Sequence, residues 1–333
     1  MQELYITYAD MKHRFFDVLV DTGFSKEKAE ECAAIFSDNT LDGIASHGVN
    51  RFPLFIEQCR KGIIHIDVEP EKVDSFGCIE QWDGKSGVGP LNALQAADRA
   101  MEIAEEKGIG CVALKNNTHW MRGGTYGRRA ASRGFLFICW TNTKPNMPPP
   151  NCKVPLVGNN PFVLAVPREK GDLVLDMAMS QFSYGKMELY ERTNREMEFW
   201  AGYDDEGNLT KDPGIIISNG RILPVGLWKG SGLAVMLDLF AAVLSGGAAT
   251  HDIPLDEPNL SQIFLAFSTG NVTAREELNR IGDELVAFLK NVSKDNKEGE
   301  IRYPGEGTLS RRSKNTEHGI PVDKKTWQRI VEL

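Results

Sequence analysis

Several devices that mark whole classes of protein are scarce in this chain, and each shortage narrows what it can be. Basic residues are in deficit, with 38 Lys and Arg against 46 Asp and Glu and a formal charge of −8. A surface that neutralises nucleic-acid phosphates needs the opposite balance, so a nucleic-acid partner is set aside. The six cysteines, Cys32, Cys59, Cys78, Cys111, Cys139 and Cys152, are scattered without a Cys-x-x-Cys pair. They read as core thiols in the reducing cytoplasm rather than a disulfide framework. The six histidines show no H-x-x-x-H or H-E-x-x-H spacing and no pairing with cysteine, so no metal site is expected. The most apolar stretch, GLAVMLDLFAAVLSGGAA from Gly232, contains Asp238 and is short for a bilayer, so no membrane partner is expected. The opening MQELYITYADMKHRFF lacks the basic start and apolar run of a signal peptide. No G-x-S-x-G nucleophile elbow occurs.

What remains is an ordinary globular composition, 41% apolar and 25% charged over 333 residues, enough for a sizeable core. Residues 7–61 predict three helices. Thr7 with Asp10 makes a capping pattern, Phe15, Phe16, Leu19 and Val20 form a stripe that Gly23 stops, Ser25 opens KEKAEECAAIF, and VNRFPLFIEQCRKG follows. From about residue 80 helices and strands alternate. GCVALKN, FLFICWTNT, NPFVLAVP, DLVLDMAMS and SQIFLAFST are apolar runs of strand length, with helices expected near Thr125, Tyr184 and Ser231. Apolar strands between helices predict a layered α/β core whose sheet is covered on both faces. Residues 201–226 are turn-rich, and a last helix pair is expected over 273–292 and 323–333.

An α/β chain with glycine turns invites a dinucleotide fingerprint, but none fits. GKSGVGPLN, GIGCVA and KGSGLAV each hold G-x-G without the third small residue, the flanking strand and helix and the later acidic residue together. The best anion site by pattern is WKGSGLAVMLDLF, where Lys229 stands beside a Gly-Ser-Gly that opens a long helix; a plain glycine-rich helix start is the alternative. Polar residues suited to chemistry cluster in DGIASHGVNRF at 42–52. Ser46, His47 and Arg51 fall within six positions there, and one helical turn would aim His47 and Arg51 to one side. A guanidinium fork suits a carboxylate, and a histidine titrating near neutrality can exchange a proton with a carbonyl oxygen. A second cluster, KNNTHWMRGGTYG at 115–127, places His119 and Arg122 at a strand end, and DMAMSQFSYG at 176–185 offers a small-residue backbone for close approach.

SHGVNRF, NTHWMRGGTYG, DMAMS, YDDEGNLTKDPG, ILPVGLWKGSG and SQIFLAF, in that order, resemble the malate/L-lactate/sulfolactate dehydrogenase family of NAD(P)-dependent oxidoreductases, and most closely its 2,3-diketo-L-gulonate reductase branch. The resemblance spans essentially the whole chain. It implies an L-sulfolactate dehydrogenase-like three-layer α/β fold with a mixed sheet, not Rossmann. A helical lobe of residues 1–75 would be joined by 290–333, around a cofactor domain of 76–289. It also implies a homodimer with the active site near the subunit boundary.

Carried over residue by residue, the resemblance makes His47 the proton donor and puts Ser46, Arg51 and His119 on the substrate. NADH, more than NADPH, would be held by Asp172, Leu173, Val174, Leu175, Asp176, Met177 and Ala178, by Trp228 and Lys229, and by Gly305, Glu306 and Gly307. The substrate would be a small keto acid, 2,3-diketo-L-gulonate first. A malate, lactate or ureidoglycolate dehydrogenase, a cyclic imino acid reductase, and a non-catalytic binding protein are the alternatives. Three stretches depart from the branch: the proline-rich 143–161, YERTNREMEFWAG at 190–202, and PGEG, where the branch carries a histidine after the glycine.

Overall fold

A computed structural model describes residues 3–270, 273–293 and 301–333. The chain opens with β1 (Glu3–Ile6), α1 (Tyr8–Asp21), α2 (Lys26–Leu41) and, after a 3-10 turn at Ala45–His47, α3 (Phe52–Arg60). The expected caps form: Thr7 Oγ1 accepts the Asp10 N–H at 3.1 Å and Ser25 Oγ the Lys28 N–H at 3.3 Å. The helices bury Phe15, Phe36, Phe52 and Phe55 together, with Phe15 and Phe52 stacked at 4.2 Å between ring centroids.

The middle of the chain runs β2 (Glu71–Phe76), β3 (Ile79–Asp83), α4 (Gly89–Lys107), β4 (Ile109–Asn117), α5 (Gly123–Ser132), β5 (Phe135–Thr141), β6 (Phe162–Val166), β7 (Leu173–Met177) and α6 (Tyr184–Arg192). Next come β8 (Gly202–Tyr203), β9 (Leu209–Thr210), α7 (Pro213–Asn219), α8 (Trp228–Ser245) and β10 (Leu260–Ser268). The last described elements are α9 (Arg275–Ser293), α10 (Glu306–His318), β11 (Ile320–Asp323) and α11 (Lys324–Val331). β1 pairs with β11, Glu3 opposite Asp323 and Ile6 opposite Ile320, which brings both chain ends into one lobe. Ile320, Val322 and Ile330 complete its core.

The main sheet has seven strands in the order β2-β3-β4-β10-β5-β6-β7. Only β3 and β4 run parallel, so the sheet is mixed. Alternate side chains of its central strands serve two different layers. Val112, Leu114, Phe137 and Phe264 pack with alanines of α4 and α5, whereas Cys111, Ala113, Trp140 and Ile263 pack with Ala234, Leu237 and Ala241 of α8. That double coverage is why these strands read as unbroken apolar runs. Gly110 lets α4 lie close to β4, since a Cβ there would stand 2.1 Å from the Ala100 carbonyl oxygen.

Most of the expected core elements are present, and the misses share a cause. β1, β2, β3 and β11 are short or polar, α7 is a seven-residue helix inside the turn-rich 201–226, and α10 falls in a polar stretch, so none carries a strong period of its own. β2 begins inside 1–75 yet belongs to the main sheet, and α9 runs across the 289/290 boundary. Residues 294–300 of the expected C-terminal segment lie outside the described residues. By length and composition α8 is the one helix among the described residues able to cross a membrane; here its small side chains pack on the sheet.

Candidate active site

One edge of the sheet gathers the loops that carry polar residues. The C-terminal ends of β4, β5 and β7 and the start of β10 lie there, because Leu260 pairs with Asn117 and Gln262 with Thr141. Between this edge and the helical lobe is a cavity of about 780 Å³. His47 and Arg51 line it from the lobe, and His119 and Arg122 from the loop after β4. Thr143, Lys144 and Asn146 follow β5, and Glu257 and Leu260 bound the start of β10.

The 3-10 turn bearing His47 is pressed against α2. A Cβ on Gly48 would stand 2.2 Å from Thr40 Oγ1 and 2.9 Å from the Phe36 carbonyl oxygen, so the glycine sets that approach. Thr40 Oγ1 accepts the Val49 N–H at 3.0 Å, and buried Asn39 donates to the His47 carbonyl at 3.0 Å. His47 and Arg51 do not share a helical turn as expected. His47 ends the 3-10 turn and Arg51 is the N-cap of α3, but both reach the cavity. Ser46 stands behind the imidazole, its Oγ 3.0 Å from His47 Nδ1, which leaves Nε2 as the free ring nitrogen. His119 lies alongside, ring centroids 5.7 Å apart and planes at 24°.

Burial decides the charge states. It lowers the His47 pKa to about 4; Asp176 opposes the shift, and Arg51 and Arg122 add to it. The sequence expectation of a histidine titrating near neutrality is therefore corrected for the unliganded protein. His119 is held well below the ordinary range by burial and then by Arg51, His47 and Lys144. The Arg51 guanidinium is largely buried, its Nε has no partner, and among the described residues no hydrogen bond or ion pair satisfies it. Burial lowers its pKa while Glu257 and Glu188, also in the cavity wall, pull it back. A buried cation without a partner is costly unless an anion arrives.

Behind the cavity, buried Asp42 accepts from three arginines: Arg122 at 2.6 Å, Arg128 at 2.9 Å and Arg312 at 2.8 Å. That cluster ties the end of α2 to α5 and α10. Asp176 accepts from Arg122 Nε at 3.2 Å and from the Gly124 N–H at 3.0 Å. Of the other residues singled out, Val174, Leu175, Ala178 and Gly305 line the cavity with Asp176, while Asp172 lines a neighbouring one of about 620 Å³. Leu173 and Met177 complete β7, Glu306 pairs with Lys290, and Gly307 lies beside Arg311.

The turn at Lys229 is not the anion cradle its pattern suggests. α8 already begins at Trp228, and the N–H groups of Lys229, Gly230 and Ser231 donate to the carbonyls of Gly226, Val225 and Leu227. Gly230 is needed for that packing, as a Cβ would meet the Val225 carbonyl oxygen at 2.3 Å. What this turn offers a ligand is the Lys229 ammonium and the exposed Trp228 indole.

The sequence pattern of the malate/L-lactate dehydrogenase family matches residues 6–331. The chain belongs to that family. The 2,3-diketo-L-gulonate reductase of Pasteurella multocida is 44% identical to it over 98% of this chain and 99% of that protein. The 2,3-diketo-L-gulonate reductase of Haemophilus influenzae is 42% identical over the same shares. The solved sulfolactate dehydrogenase of Methanocaldococcus jannaschii superimposes with a TM-score of 0.90 at 29% identity, covering 99% of this chain and 96% of that one. This member of the malate/L-lactate dehydrogenase family is thus an NAD(P)-dependent oxidoreductase acting on a CH–OH/C=O couple.

The residues present suit a nicotinamide dinucleotide. Gly305 has φ 91°, and a Cβ on it would come within 3.1 Å of the Val174 N and 3.3 Å of the Asp172 carbonyl oxygen, so glycine lets this turn lie against β7, and the two backbones line the cavity together without an intervening side chain. The same glycine caps α10, whose first turn and Arg311 supply positive charge at the cavity rim. Sequence reasoning missed Arg311, Glu188, Lys144 and Glu257. Arg311 was findable, for RRSKN has the charge of an exposed helix one turn beyond PGEG. Glu257 had no signal: it is buried with φ 58° in a turn whose shape only the fold dictates.

Proposed function

We propose that this family member is an NADH-dependent reductase of a keto group beside a carboxylate, with 2,3-diketo-L-gulonate as its substrate. The observation that carries the reading is the buried, unpartnered guanidinium of Arg51 in the same cavity as two histidines. When bound, the reduced nicotinamide supplies the hydride for the keto carbon. The chain's own residues do the rest. Arg51 grips the carboxylate through its two-pronged fork. His47 Nε2 gives a proton to the keto oxygen as negative charge grows there, and Ser46 Oγ holds the ring through Nδ1 and accepts from it when the ring is charged. Val174 to Ala178, Gly305 to Gly307, Arg311 and the Lys229 ammonium are the groups assigned to the cofactor. Asp172 begins that segment in the wall of the neighbouring cavity, and a carboxylate there disfavours a phosphorylated ribose beside it, which favours NADH.

The relatives named for 2,3-diketo-L-gulonate support that substrate, and so do Glu188 and Glu257, which suit a hydroxylated tail and repel a second carboxylate. NADH oxidation across a panel of 2-oxo acids tests the reading. 2,3-Diketo-L-gulonate should exceed oxaloacetate and pyruvate by about tenfold or more in kcat/KM. Tight NADH binding with no oxidation by any 2-oxo acid would contradict it.

A homodimer fits the outer face of α8. Trp228, Leu233, Val235, Met236, Leu239, Phe240 and Val243 are exposed on one helix while its other side lies on the sheet. An apolar stripe of that extent belongs against a second surface. Phe240→Glu is expected to yield monomers in sedimentation velocity; an unchanged dimer would place the interface elsewhere. The six free thiols, four of them buried, support a cytoplasmic setting.

A further inference from the structure

The two cavity histidines are wired differently, and the wiring assigns them different work. The Met121 backbone N–H donates to His119 Nδ1 at 3.0 Å. A ring nitrogen that accepts a hydrogen bond carries no proton, so the hydrogen of the neutral ring sits on Nε2. Protonating Nδ1 would set two N–H groups head to head. The turn cannot easily relieve that contact. Met121 is buried with φ 66°, and the preceding Trp120 carbonyl accepts the Tyr126 hydroxyl at 2.6 Å. His47 faces a hydroxyl instead, and the Ser46 Oγ can donate to a bare Nδ1 or accept from a protonated one.

The charged surroundings act in the same direction. Arg51 at the head of α3, His47 on the 3-10 turn and Lys144 after β5 all disfavour a positive His119. The carboxylates that line the cavity are otherwise engaged: Asp176 is bonded to Arg122 and Gly124, while Glu188 and Glu257 act on Arg51.

We propose that His119 stays neutral throughout turnover, as a fixed Nε2–H donor that orients the keto acid, while His47 alone carries the proton that is transferred. The identity of the acceptor rests on the reductase reading above; the locked tautomer does not.

Nitrogen NMR of the histidine-labelled wild-type protein tests it, with the His119 signals assigned by their loss in His119→Gln. The expected spectrum shows Nε2 protonated, Nδ1 bare, and neither moving between about pH 5 and pH 9, through which a free histidine titrates. Kinetics add a second readout. His119→Gln keeps an N–H donor and should lower kcat by less than about tenfold, His119→Ala by roughly 10²-fold, and neither should move the pH profile. A His119 signal that titrates in this range, a proton on Nδ1, or a shifted alkaline limb in His119→Gln would overturn the proposal. A non-titrating Nε2–H tautomer in a protein that reduces no 2-oxo acid would instead uphold the lock and remove the reductase reading.

Discussion

His47→Gln should bind cofactor and keto acid nearly as well as the native protein yet turn over roughly 10²–10⁴-fold more slowly, the usual cost of losing a positioned acid. The turn that carries residue 47 is placed by contacts that glutamine leaves intact: Asn39 holds the backbone carbonyl and Gly48 the approach to α2. Fold and ground-state binding therefore survive while proton delivery does not. The sign of the pH dependence follows from burial. With the unliganded pKa near 4, the imidazole is neutral through the physiological range, and reduction draws on a protonated fraction that shrinks as pH rises. For reduction, kcat/KM should fall about tenfold per pH unit above the free-protein pKa, whereas alcohol oxidation, which needs the neutral base, should be level there. A bound keto-acid carboxylate favours the imidazolium, so the limb in kcat lies at higher pH than the limb in kcat/KM. Comparable turnover in His47→Gln would move the proton source elsewhere.

Arg51→Met should raise KM for the keto acid by roughly 10²–10³-fold, because a buried carboxylate would lose a charge-assisted pair worth about 2–5 kcal/mol on truncation. The same change should stabilise the unliganded protein by about 1 kcal/mol, since it removes a buried charge that Glu257 and Glu188 offset only from a distance and that no hydrogen bond or ion pair among the described residues satisfies. Arg51→Lys keeps the charge and loses the fork, so its KM should fall between native and Met. Thermal melts with and without substrate analogue separate these effects. A destabilised Arg51→Met with unchanged KM would mean that the guanidinium is structural.

How much of this was legible depends on where each contact is made. The SHG turn was legible because its residue types are rare together and their chemistry is local: Ser46 bonds His47, and Gly48 meets the helix just before it. The buried strands were legible because double coverage writes itself as an unbroken apolar run. β1 and β11 were not, since their pairing joins the two ends of the chain and neither strand is self-evident alone. α10 was hidden by its polarity, yet it supplies the arginines that reach Asp42 and the cavity. Lys229 was over-read because the same Gly-Ser-Gly can leave N–H groups free or spend them on the preceding loop, and here they are spent. The pKa of His47 was beyond sequence altogether, because it is set by how completely the lobe and the sheet edge enclose the ring.

The most direct measurement is kcat/KM for NADH-driven reduction of 2,3-diketo-L-gulonate as a function of pH, for the native protein and His47→Gln side by side. The account predicts a native rate that falls about tenfold per pH unit through neutrality, and a His47→Gln rate that is lower by roughly 10² or more and has lost that slope. A His47→Gln profile that matches the native one in height and slope would contradict the assignment of the transferred proton to His47.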